Sequence, residues 1–377
     1  MMAKNKCKEI LVFGLSSNRG GIETYLYKIA SHINREQYHL SFINMVGKDK
    51  SPCFYKELQD LGCSFFRVTP RSDSIRKNKQ DLEDLFAQYH FDILHYNANT
   101  LSYIKPIIAA LRHGCKVIIH SRSSGMTSRF ITEALHHINK FRVRHMDVKR
   151  IAVSTQAGKW LFGNSNFDLF HNGVDTKKFT FSSNARKAIR IDNMLSDELV
   201  IGHIGAFLPV KNHIFVVDLF KEFYKRHPDT RLWLIGEGYL KENIQNLVRE
   251  EGMSEVVSFF GNYEDMSSVY AGMDVLLLPS LFEGFPNVVL EAQSEGLPCL
   301  LSDRITDEVV LFDSAKRLSL DDTKQVWLDE LESVYQKRSF MREDAAAVVD
   351  RKGYSVNVEV KRIEKLYSSL ASDKTMR

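Results

Sequence analysis

The sequence predicts an α/β protein of two domains, each a parallel sheet with helices on both faces. Three observations support this prediction. The chain has 377 residues, which is long for one hydrophobic core and suits two domains of ordinary size. Short β-branched segments alternate with segments of helical periodicity, as is typical of βαβ units. The alternation stops once, at residues 171–198, and then restarts.

The apolar segments predict strands in two series, with helices between them. The polar segment between the series contains the turn-forming pair Asn172-Gly173. We therefore predict domains at residues 1–175 and 196–353, with a final helix at 354–377 that can pack back on the first domain. Since doubly wound domains bind ligands at the carboxyl ends of their strands, we expect the two domains to face a cleft. The predicted strands are 9–14, 39–46, 64–68, 92–97, 116–121 and 150–154, then 199–207, 231–238, 256–261, 274–280 and 298–303.

The composition favours a folded, cytoplasmic protein. Hydrophobic residues make up 44% of the chain and charged residues 26%, with no segment biased towards disorder. No apolar segment reaches the about 18 residues of a membrane-spanning helix, and the apolar segment near the N-terminus has only a strand's length, so we expect neither a membrane span nor a signal peptide. Five cysteines without CxxC spacing favour reduced thiols over disulfides or zinc.

Charge is distributed unevenly along the chain. Residues 1–180 contain 27 Lys/Arg and 15 Asp/Glu, whereas the remainder contains 24 and 32. Residues 101–150 contain ten basic and two acidic residues, with the basic residues concentrated at 140–150. This segment is either a solvated helix face or a surface for anionic lipid, a pyrophosphate-linked acceptor or nucleic acid. We expect no nucleic-acid partner, because aromatic residues are not interleaved there as single-strand binders require.

Two segments carry groups that suit a phosphate. The pair Gly20-Gly21 lies between the first predicted strand and an amphipathic helix, where backbone N–H groups and the helix dipole favour an anion. An ordinary tight turn is the alternative, since the spacing is not GxGxxG. Lys211 follows the strand predicted at 199–207, and it is either a phosphate-binding cation at the carboxyl end of that strand or a solvated lysine.

The segment LFEGFPNVVLEAQSEG places Glu283 and Glu291 eight positions apart. The preceding apolar segment predicts a buried strand, so Glu283 lies in the loop at its carboxyl end. Pro286 suits the first turn of the next helix and Asn287 its cap. Glu291 then lies about one turn further in and on a neighbouring face. The two carboxylates would suit two different hydroxyl groups of one extended ligand.

Two histidines, His95 and His120, each end a predicted buried strand. A histidine in this position is either a core residue with satisfied hydrogen bonds or a group that reaches the cleft. A polar turn follows His120, so we expect His120 to be the one that reaches the cleft.

Together these segments resemble the family 4 retaining glycosyltransferases of the GT-B fold, particularly those of bacterial exopolysaccharide and capsule synthesis. The resemblance covers nearly the whole chain, and the E-x7-E element is its most specific part. It implies an acceptor-binding N-terminal domain and a nucleotide-sugar-binding C-terminal domain. The segments that carry it are GGIETYLYKIA, HSRSSG, AVSTQAGKWLFG, HNGVDTKKF, GHIGAFLPVKNH, LIGEGYLKENI and EGFPNVVLEAQSEGLPCLLSD.

The resemblance also implies a role for individual residues. Glu283 would contact the donor sugar near its reacting face, and Glu291 would bind the ribose hydroxyls. His120 would lie near the donor sugar and acceptor, as the second catalytic residue. Backbone groups of the turn after Glu283 would hold sugar hydroxyls, while the lysine and the glycine pair would hold the diphosphate. The further donor-binding residues implied are Gly20, Gly21, Lys211, Gly284, Phe285, Pro286 and Asn287.

One position departs from the family pattern. Such enzymes usually carry an arginine after the glycine of the strand that precedes the phosphate lysine, whereas this chain has Ala206. Losing a charge-assisted contact weakens stabilisation of the leaving diphosphate unless another cation replaces it. Arg122 and Arg19 are the two candidates, and the sequence does not distinguish them.

The resulting hypothesis is a metal-independent hexosyltransferase that moves a sugar from a nucleotide sugar, expected to be a UDP-sugar, to a saccharide acceptor, expected to be lipid-linked. The product would be exopolysaccharide, capsule or O-antigen. No cofactor or metal is expected. The chain lacks the Asp-x-Asp motif that holds a divalent metal against a sugar diphosphate in the other major glycosyltransferase architecture, since no two aspartates are separated by one residue. No Cys/His cluster has zinc spacing either. Residues 140–150 are expected to contact an anionic membrane peripherally. The alternatives are a catalytically weakened sugar-nucleotide-binding subunit and a GT-B-type epimerase.

Overall fold

The computed structural model describes residues 7–126, 130–261, 263, 265–337 and 342–372. The end of the predicted tail helix, after residue 372, lies outside this part of the chain. The chain divides into two compact units. The first unit comprises Met1–Asn172 and Val356–Arg377, and the second comprises Gly173–Ser355. The tail predicted to pack back on the first domain is thus part of the first unit.

The first unit contains a parallel sheet of seven strands in the order β3-β2-β1-β4-β5-β6-β7. All six predicted strands are present, and the additional edge strand β7 is only two residues long. The order reverses between β1 and β4, which makes the carboxyl ends of these two strands the expected ligand position of this sheet. The strands are β1 (Lys8–Phe13), β2 (Tyr38–Asn44), β3 (Ser64–Arg67), β4 (Ile93–Ala98), β5 (Lys116–Ser121), β6 (Lys149–Ala152) and β7 (Asp168–Leu169).

The second unit contains a parallel sheet of six strands in the order β10-β9-β8-β11-β12-β13. Five were predicted, and β13 was missed because its two central residues are charged and exposed. Here the order reverses between β8 and β11, so the expected ligand position lies beyond the carboxyl ends of those strands. The strands are β8 (Leu199–Ile204), β9 (Thr230–Ile235), β10 (Val257–Phe260), β11 (Val275–Leu278), β12 (Cys299–Ser302) and β13 (Ala315–Leu318).

Helices connect the strands, as the βαβ pattern predicts. None of the helices in the described part of the chain is long and apolar enough to cross a membrane. The helices are α1 (Gly21–His32), α2 (Tyr55–Asp60), α3 (Ile75–Gln88), α4 (Lys105–Arg112), α5 (Phe130–Arg144), α6 (Thr155–Phe162), α7 (Ser183–Asp192), α8 (His213–Arg226), α9 (Lys241–Glu250), α10 (Met266–Gly272), α11 (Asn287–Ser294), α12 (Lys324–Lys337), α13 (Ala345–Arg351) and α14 (Val356–Ser372).

Alternate residues of β1 pack into two hydrophobic cores, one on each face of the first sheet. Leu11 belongs to the core that contains apolar residues of α3, α4 and α6. Ile10 and Val12 belong to the other core, which α1 and the tail helix α14 complete. A salt bridge of 2.7 Å between Lys28 of α1 and Glu359 of α14 adds a buried polar contact to this packing. The tail helix therefore completes the core of the first unit.

Candidate functional site

Two loops of the second unit meet where the strand order of its sheet reverses. One loop follows β8 and ends in the short 3-10 turn Pro209–Lys211, and the other follows β11. The Leu281 backbone N–H donates to the carbonyl oxygen of Val210 at 2.8 Å. The Asn212 side-chain amide donates to the carbonyl oxygen of Pro279 at 3.3 Å. These contacts hold the two loops together at the expected ligand position of the sheet.

The two charged residues predicted from separate motifs lie together in this site. Lys211 Nζ forms a salt bridge with Glu283 Oε1. The side chains are 18% and 15% exposed, so the pair is partly shielded from water and yet accessible. The sheet order explains the meeting, because β8 and β11 are neighbours and each residue follows the carboxyl end of one of them.

Glycines allow the backbones of this region to approach closely. Gly236, just after β9, has φ +141°, and a Cβ there would lie 2.2 Å from the carbonyl oxygen of Gly205. A Cβ on Gly205 would in turn lie 2.9 Å from Cδ of Lys211. The aliphatic part of the lysine therefore passes directly over the backbone of Gly205. The orientation of Lys211 depends on the absence of side chains beneath it.

The helix after Glu283 begins at Asn287, the residue predicted to be its cap. Pro286 has extended backbone angles and occupies the cap position, while Asn287 is the first residue of α11. The prediction of Pro286 in the first turn and Asn287 as the cap is therefore wrong. Gly284, Phe285 and Pro286 are buried, so this turn offers mainly its backbone at the start of α11.

Glu291 lies in α11 and has a different environment from Glu283. Its Oε2 accepts a hydrogen bond of 2.8 Å from the Tyr270 hydroxyl. Burial raises the pKa of Tyr270 well above its usual value, and the carboxylate of Glu291 raises it further. The phenol therefore stays protonated and orients the carboxylate. The roles predicted for Glu283 and Glu291 remain predictions, and the two carboxylates occupy separate contacts.

Sequence reasoning missed two buried histidines beside Lys211. His203 lies on β8 with Nδ1 2.8 Å from the carbonyl oxygen of Leu277, and its ring centre is 4.5 Å from that of His213. Among the described residues, neither ring nitrogen of His213 has a hydrogen-bond partner. Burial is the main cause that lowers the pKa of His203 to about 4 and that of His213 to about 2; the charge of Lys211 contributes to both, and His203 contributes to the lowering at His213. The one sequence signal for these histidines is that His213 follows Lys211 by two residues, which places it next to the predicted phosphate-binding position.

We expect His213→Phe to reduce the sensitivity of the fold to acid. The unfolded state takes up a proton near pH 6.5, whereas the buried imidazole does not, so wild-type stability falls as the pH drops below about 6.5. At pH 5 this linkage costs the wild type about 2 kcal/mol, which the variant should not lose. Urea unfolding at pH 8 and pH 5 measures the difference. The exposed His90 provides the control variant His90→Phe, and a pH dependence equal to that of the wild type in His213→Phe would contradict the assignment.

The glycine pair of the first unit lies at the start of α1. Gly20 is the cap residue and Gly21 the first helical residue, and both are exposed. The buried carboxylate of Glu23 accepts a hydrogen bond of 3.0 Å from the Ser16 backbone N–H. A Cβ on Gly20 would lie 2.8 Å from Oε2 of Glu23. A protein carboxylate is thus already present at this helix start, and it opposes the binding of a second anion there.

His120 does not reach open space, so that expectation is wrong. It is 1% exposed and lies in a chain of hydrogen bonds. Because a guanidinium can only donate, Arg122 donates to His120 Nε2 at 3.3 Å. His120 Nδ1 then donates to His95 Nε2 at 3.1 Å, and His95 Nδ1 donates to the Tyr367 hydroxyl at 2.7 Å. Burial lowers the pKa of both histidines, to about 3 for His95 and well below the usual value for His120.

Two arginines are candidate substitutes for the family's arginine, which is missing at Ala206. Their environments differ. Arg122 is 9% exposed, and its guanidinium carbon lies 3.6 Å from the ring centre of Tyr25. Burial lowers the pKa of Arg122. Arg19 is exposed, with its guanidinium 5.4 Å from the ring centre of Phe54. Both belong to the first unit.

Comparison with known proteins gives a family match within the second unit. Residues 185–344 match the family described as glycosyl transferases group 1. EpsF of Bacillus subtilis (strain 168), which is named as a glycosyltransferase, is 28% identical over 96% of this chain and 96% of its own length. The UDP-Gal:alpha-D-GlcNAc-diphosphoundecaprenol alpha-1,3-galactosyltransferase of Escherichia coli is 24% identical over 69% of this chain and 71% of its own.

A solved structure shows the same fold. The crystal structure of Anabaena HepE in complex with UDP and glucose matches 96% of this chain and all of the HepE chain, with a TM-score of 0.78 and 17% identity. The fold of this chain is therefore GT-B, as the sequence predicts.

Proposed function

We propose that this chain, whose residues 185–344 form a glycosyl transferases group 1 domain, is a retaining glycosyltransferase. It transfers a sugar from a nucleotide sugar, with UDP as the nucleotide, to a lipid-linked saccharide. Transfer requires no metal and serves the synthesis of exopolysaccharide, capsule or O-antigen. The enzyme is cytoplasmic and contacts an anionic membrane peripherally.

The observation that carries this proposal is the pairing of Lys211 with Glu283 where the strand order of the second sheet reverses. A diphosphate would compete for the lysine through charge-assisted hydrogen bonds. The carboxylate, released from the lysine, would then bind a hydroxyl of the donor sugar. Each charge of the pair stabilises the other, and a bound donor would replace this contact with its own phosphate and hydroxyl groups.

The chemistry follows from these groups. The acceptor hydroxyl attacks C1 of the sugar from the face that the nucleotide leaves, while the bond between C1 and the diphosphate oxygen breaks and that oxygen takes the hydroxyl proton. The configuration is retained through an oxocarbenium-like state. Double displacement needs a second carboxylate at about 5 Å from the first, whereas Glu291 of α11 accepts a hydrogen bond from Tyr270 of α10 and suits a different hydroxyl. The main contribution of the protein is to stabilise the departing diphosphate, in which Lys211 is the principal cation.

The names of similar proteins support the choice of substrates. The Escherichia coli relative is named for transfer from UDP-Gal to a sugar linked to diphosphoundecaprenol, and the HepE structure contains UDP and glucose. A UDP-sugar donor and a diphosphate-lipid acceptor are the corresponding substrates that we assign to this chain.

Nucleotide binding tests the proposal directly. Among UDP- and GDP-sugars, we expect a UDP-sugar to bind most tightly and therefore to raise the melting temperature of the full chain most. A ligand at 100 times its Kd stabilises the folded state by about 2.7 kcal/mol. Lys211→Ala should weaken UDP binding at least about tenfold, since it removes a charge-assisted contact. Lys324→Ala is the matched control, because Lys324 also pairs with a carboxylate of the second unit, at 2.6 Å.

The outcomes separate the rival functions. Equal UDP affinity of the wild type and Lys211→Ala would refute the phosphate role of the lysine. UDP binding with neither transfer nor slow donor hydrolysis would favour a catalytically weakened binding subunit, which Ala206 makes reasonable. Epimer exchange without any acceptor would indicate an epimerase.

A further inference from the structure

Helix α5 is attached to the first unit by polar side chains. His136 is buried, and its Nδ1 accepts a hydrogen bond of 3.0 Å from the Leu101 backbone N–H. Its ring stacks on that of Trp160, with 4.5 Å between the ring centres. Asn139 is also buried and donates to the carbonyl oxygen of Leu101 at 2.8 Å. The inner face of α5 therefore carries two buried hydrogen-bonding groups beside the single apolar Val143, where a surface helix ordinarily carries mainly apolar residues.

The outer face of α5 is apolar. Phe130 is 85% exposed, Ile131 73%, Ile138 58% and Phe141 67%, with Leu135 at 37%. Spacings of three and four residues place these side chains on one side of the helix. The acidic side chains nearby are Glu133 on α5, which is half-buried, and Asp147, which is exposed beyond the end of the helix; neither belongs to this set of apolar residues. The helix thus presents a continuous apolar stripe to solvent, the kind of surface that marks an interaction site.

The basic surface predicted at residues 140–150 is smaller than the sequence suggests. Lys140 Nζ donates to a carbonyl oxygen of α6 at 2.7 Å, and Arg150 donates to one near the end of α5 at 2.8 Å. Lys149 pairs with a carboxylate on β7 at 2.6 Å. Arg142 and Arg144 remain exposed at the C-terminal end of the stripe. Three of the five cations stabilise the fold, and two flank the apolar stripe.

We propose that the outer face of α5 binds the surface of an anionic lipid bilayer. The helix lies in the plane of the interface, with Phe130, Ile131, Ile138 and Phe141 among the acyl chains and the two exposed arginines at lipid phosphates. This surface overlaps residues 140–150 and extends from them along the outer face of α5, where the apolar side chains carry most of the binding energy. The inference rests on the membrane contact of the proposed function and names the surface that makes it, whereas vesicle binding is measured without donor or transfer.

A bilayer suits this face better than a second copy of the chain. In a symmetric dimer the same surface occurs on both subunits. Two parallel stripes in contact would bring the arginines of both copies close together, and two antiparallel stripes would offer those arginines no acidic partner, because the stripe itself is apolar. Like charges at an interface oppose association. Anionic headgroups instead complement these charges, and the acyl region accepts the apolar side chains.

Vesicle co-sedimentation of the full chain tests the proposal. We expect binding to phosphatidylcholine vesicles that contain phosphatidylglycerol, and weaker binding to phosphatidylcholine alone. The triple variant Ile131→Gln/Ile138→Gln/Phe141→Gln should lose at least about tenfold in partition coefficient, because three apolar side chains leave the membrane. Glutamine is a good helix former, and circular dichroism checks that the fold is unchanged.

A matched control separates this face from general hydrophobicity. Ile75 belongs to the same unit and is as exposed as Ile131, at 73%, but it lies on α3. Ile75→Gln should therefore leave vesicle binding unchanged. Arg142→Gln/Arg144→Gln should remove the preference for anionic vesicles. Equal vesicle binding by the wild type and the triple variant, or no binding by the wild type, would overturn the proposal. A wild-type dimer that the triple variant abolishes would assign the stripe to a second copy instead.

Discussion

Glu283→Ala is expected to lower the rate of sugar transfer by about two to three orders of magnitude, a loss typical of removing one group that stabilises developing charge. The sugar gains positive charge as the nucleotide departs, and the carboxylate of Glu283 can stabilise that charge while binding a hydroxyl. UDP binding should persist, because the mutation leaves Lys211 in place and removes its competing partner. The expected pattern is a loss in kcat with nearly unchanged UDP affinity.

The measurement is initial transfer rate with saturating donor, alongside UDP titration by calorimetry. Glu283→Gln keeps the shape of the side chain without its charge, so an intermediate rate would show how much the charge contributes. Glu330→Ala is the matched control, because Glu330 also pairs with a lysine in the second unit, Lys316, at 2.5 Å. Wild-type turnover in Glu283→Ala would refute the role assigned to this residue. If the variant lost both transfer and UDP binding, Glu283 would have a structural role instead.

The strands that sequence reasoning found are those with continuous apolar segments. β8 and β11 are buried along their whole length, as parallel strands covered on both faces must be. β13 was missed because its central Lys316 and Arg317 are exposed, and β7 because two residues carry no periodicity. Burial on both faces is visible in a sequence, whereas an edge strand with polar residues is not.

The site could be predicted where it depends on sheet order and not where it depends on distant parts of the chain. Lys211 and Glu283 each follow a buried strand, and parallel winding brings such residues to one edge of a sheet. His120 was expected to reach the cleft because a polar turn follows it. Its burial depends on His95 and on Tyr367 of α14, which is 272 positions beyond His95. No local pattern predicts that the tail helix completes this hydrogen-bond chain.

The inner face of α5 shows a different limit. A periodic apolar stripe normally predicts the buried side of a helix, and Phe130, Ile138 and Phe141 would be assigned to a core on that basis. The structure instead buries His136 and Asn139 together with Val143, and hydrogen bonds to the backbone of Leu101 anchor the two polar side chains. Hydrophobicity alone cannot identify a helix whose polar groups find buried partners.

Gly236→Ala is expected to destabilise the second unit by about 3 kcal/mol or more. An alanine at φ +141° is strained by itself, at a cost of about 1–3 kcal/mol. In addition, its Cβ would lie 2.2 Å from the carbonyl oxygen of Gly205, so one of the two backbones must move. Any movement of Gly205 displaces Lys211, whose aliphatic carbons lie over it. The variant should therefore lose UDP affinity as well as stability.

Urea unfolding followed by tryptophan fluorescence measures the loss, because Trp233 and Trp327 are both buried in the second unit. Gly252→Ala is the matched control. Gly252 also has a positive φ, +69°, but a Cβ there would meet no atom within 4 Å. The control should cost only about 1 kcal/mol, the strain of a left-handed alanine, with unchanged UDP affinity. Equal losses in the two variants would show that backbone strain alone matters at Gly236. A larger loss at Gly236, coupled to weaker UDP binding, would show that the close approach of the loops after β8 and β9 positions the lysine.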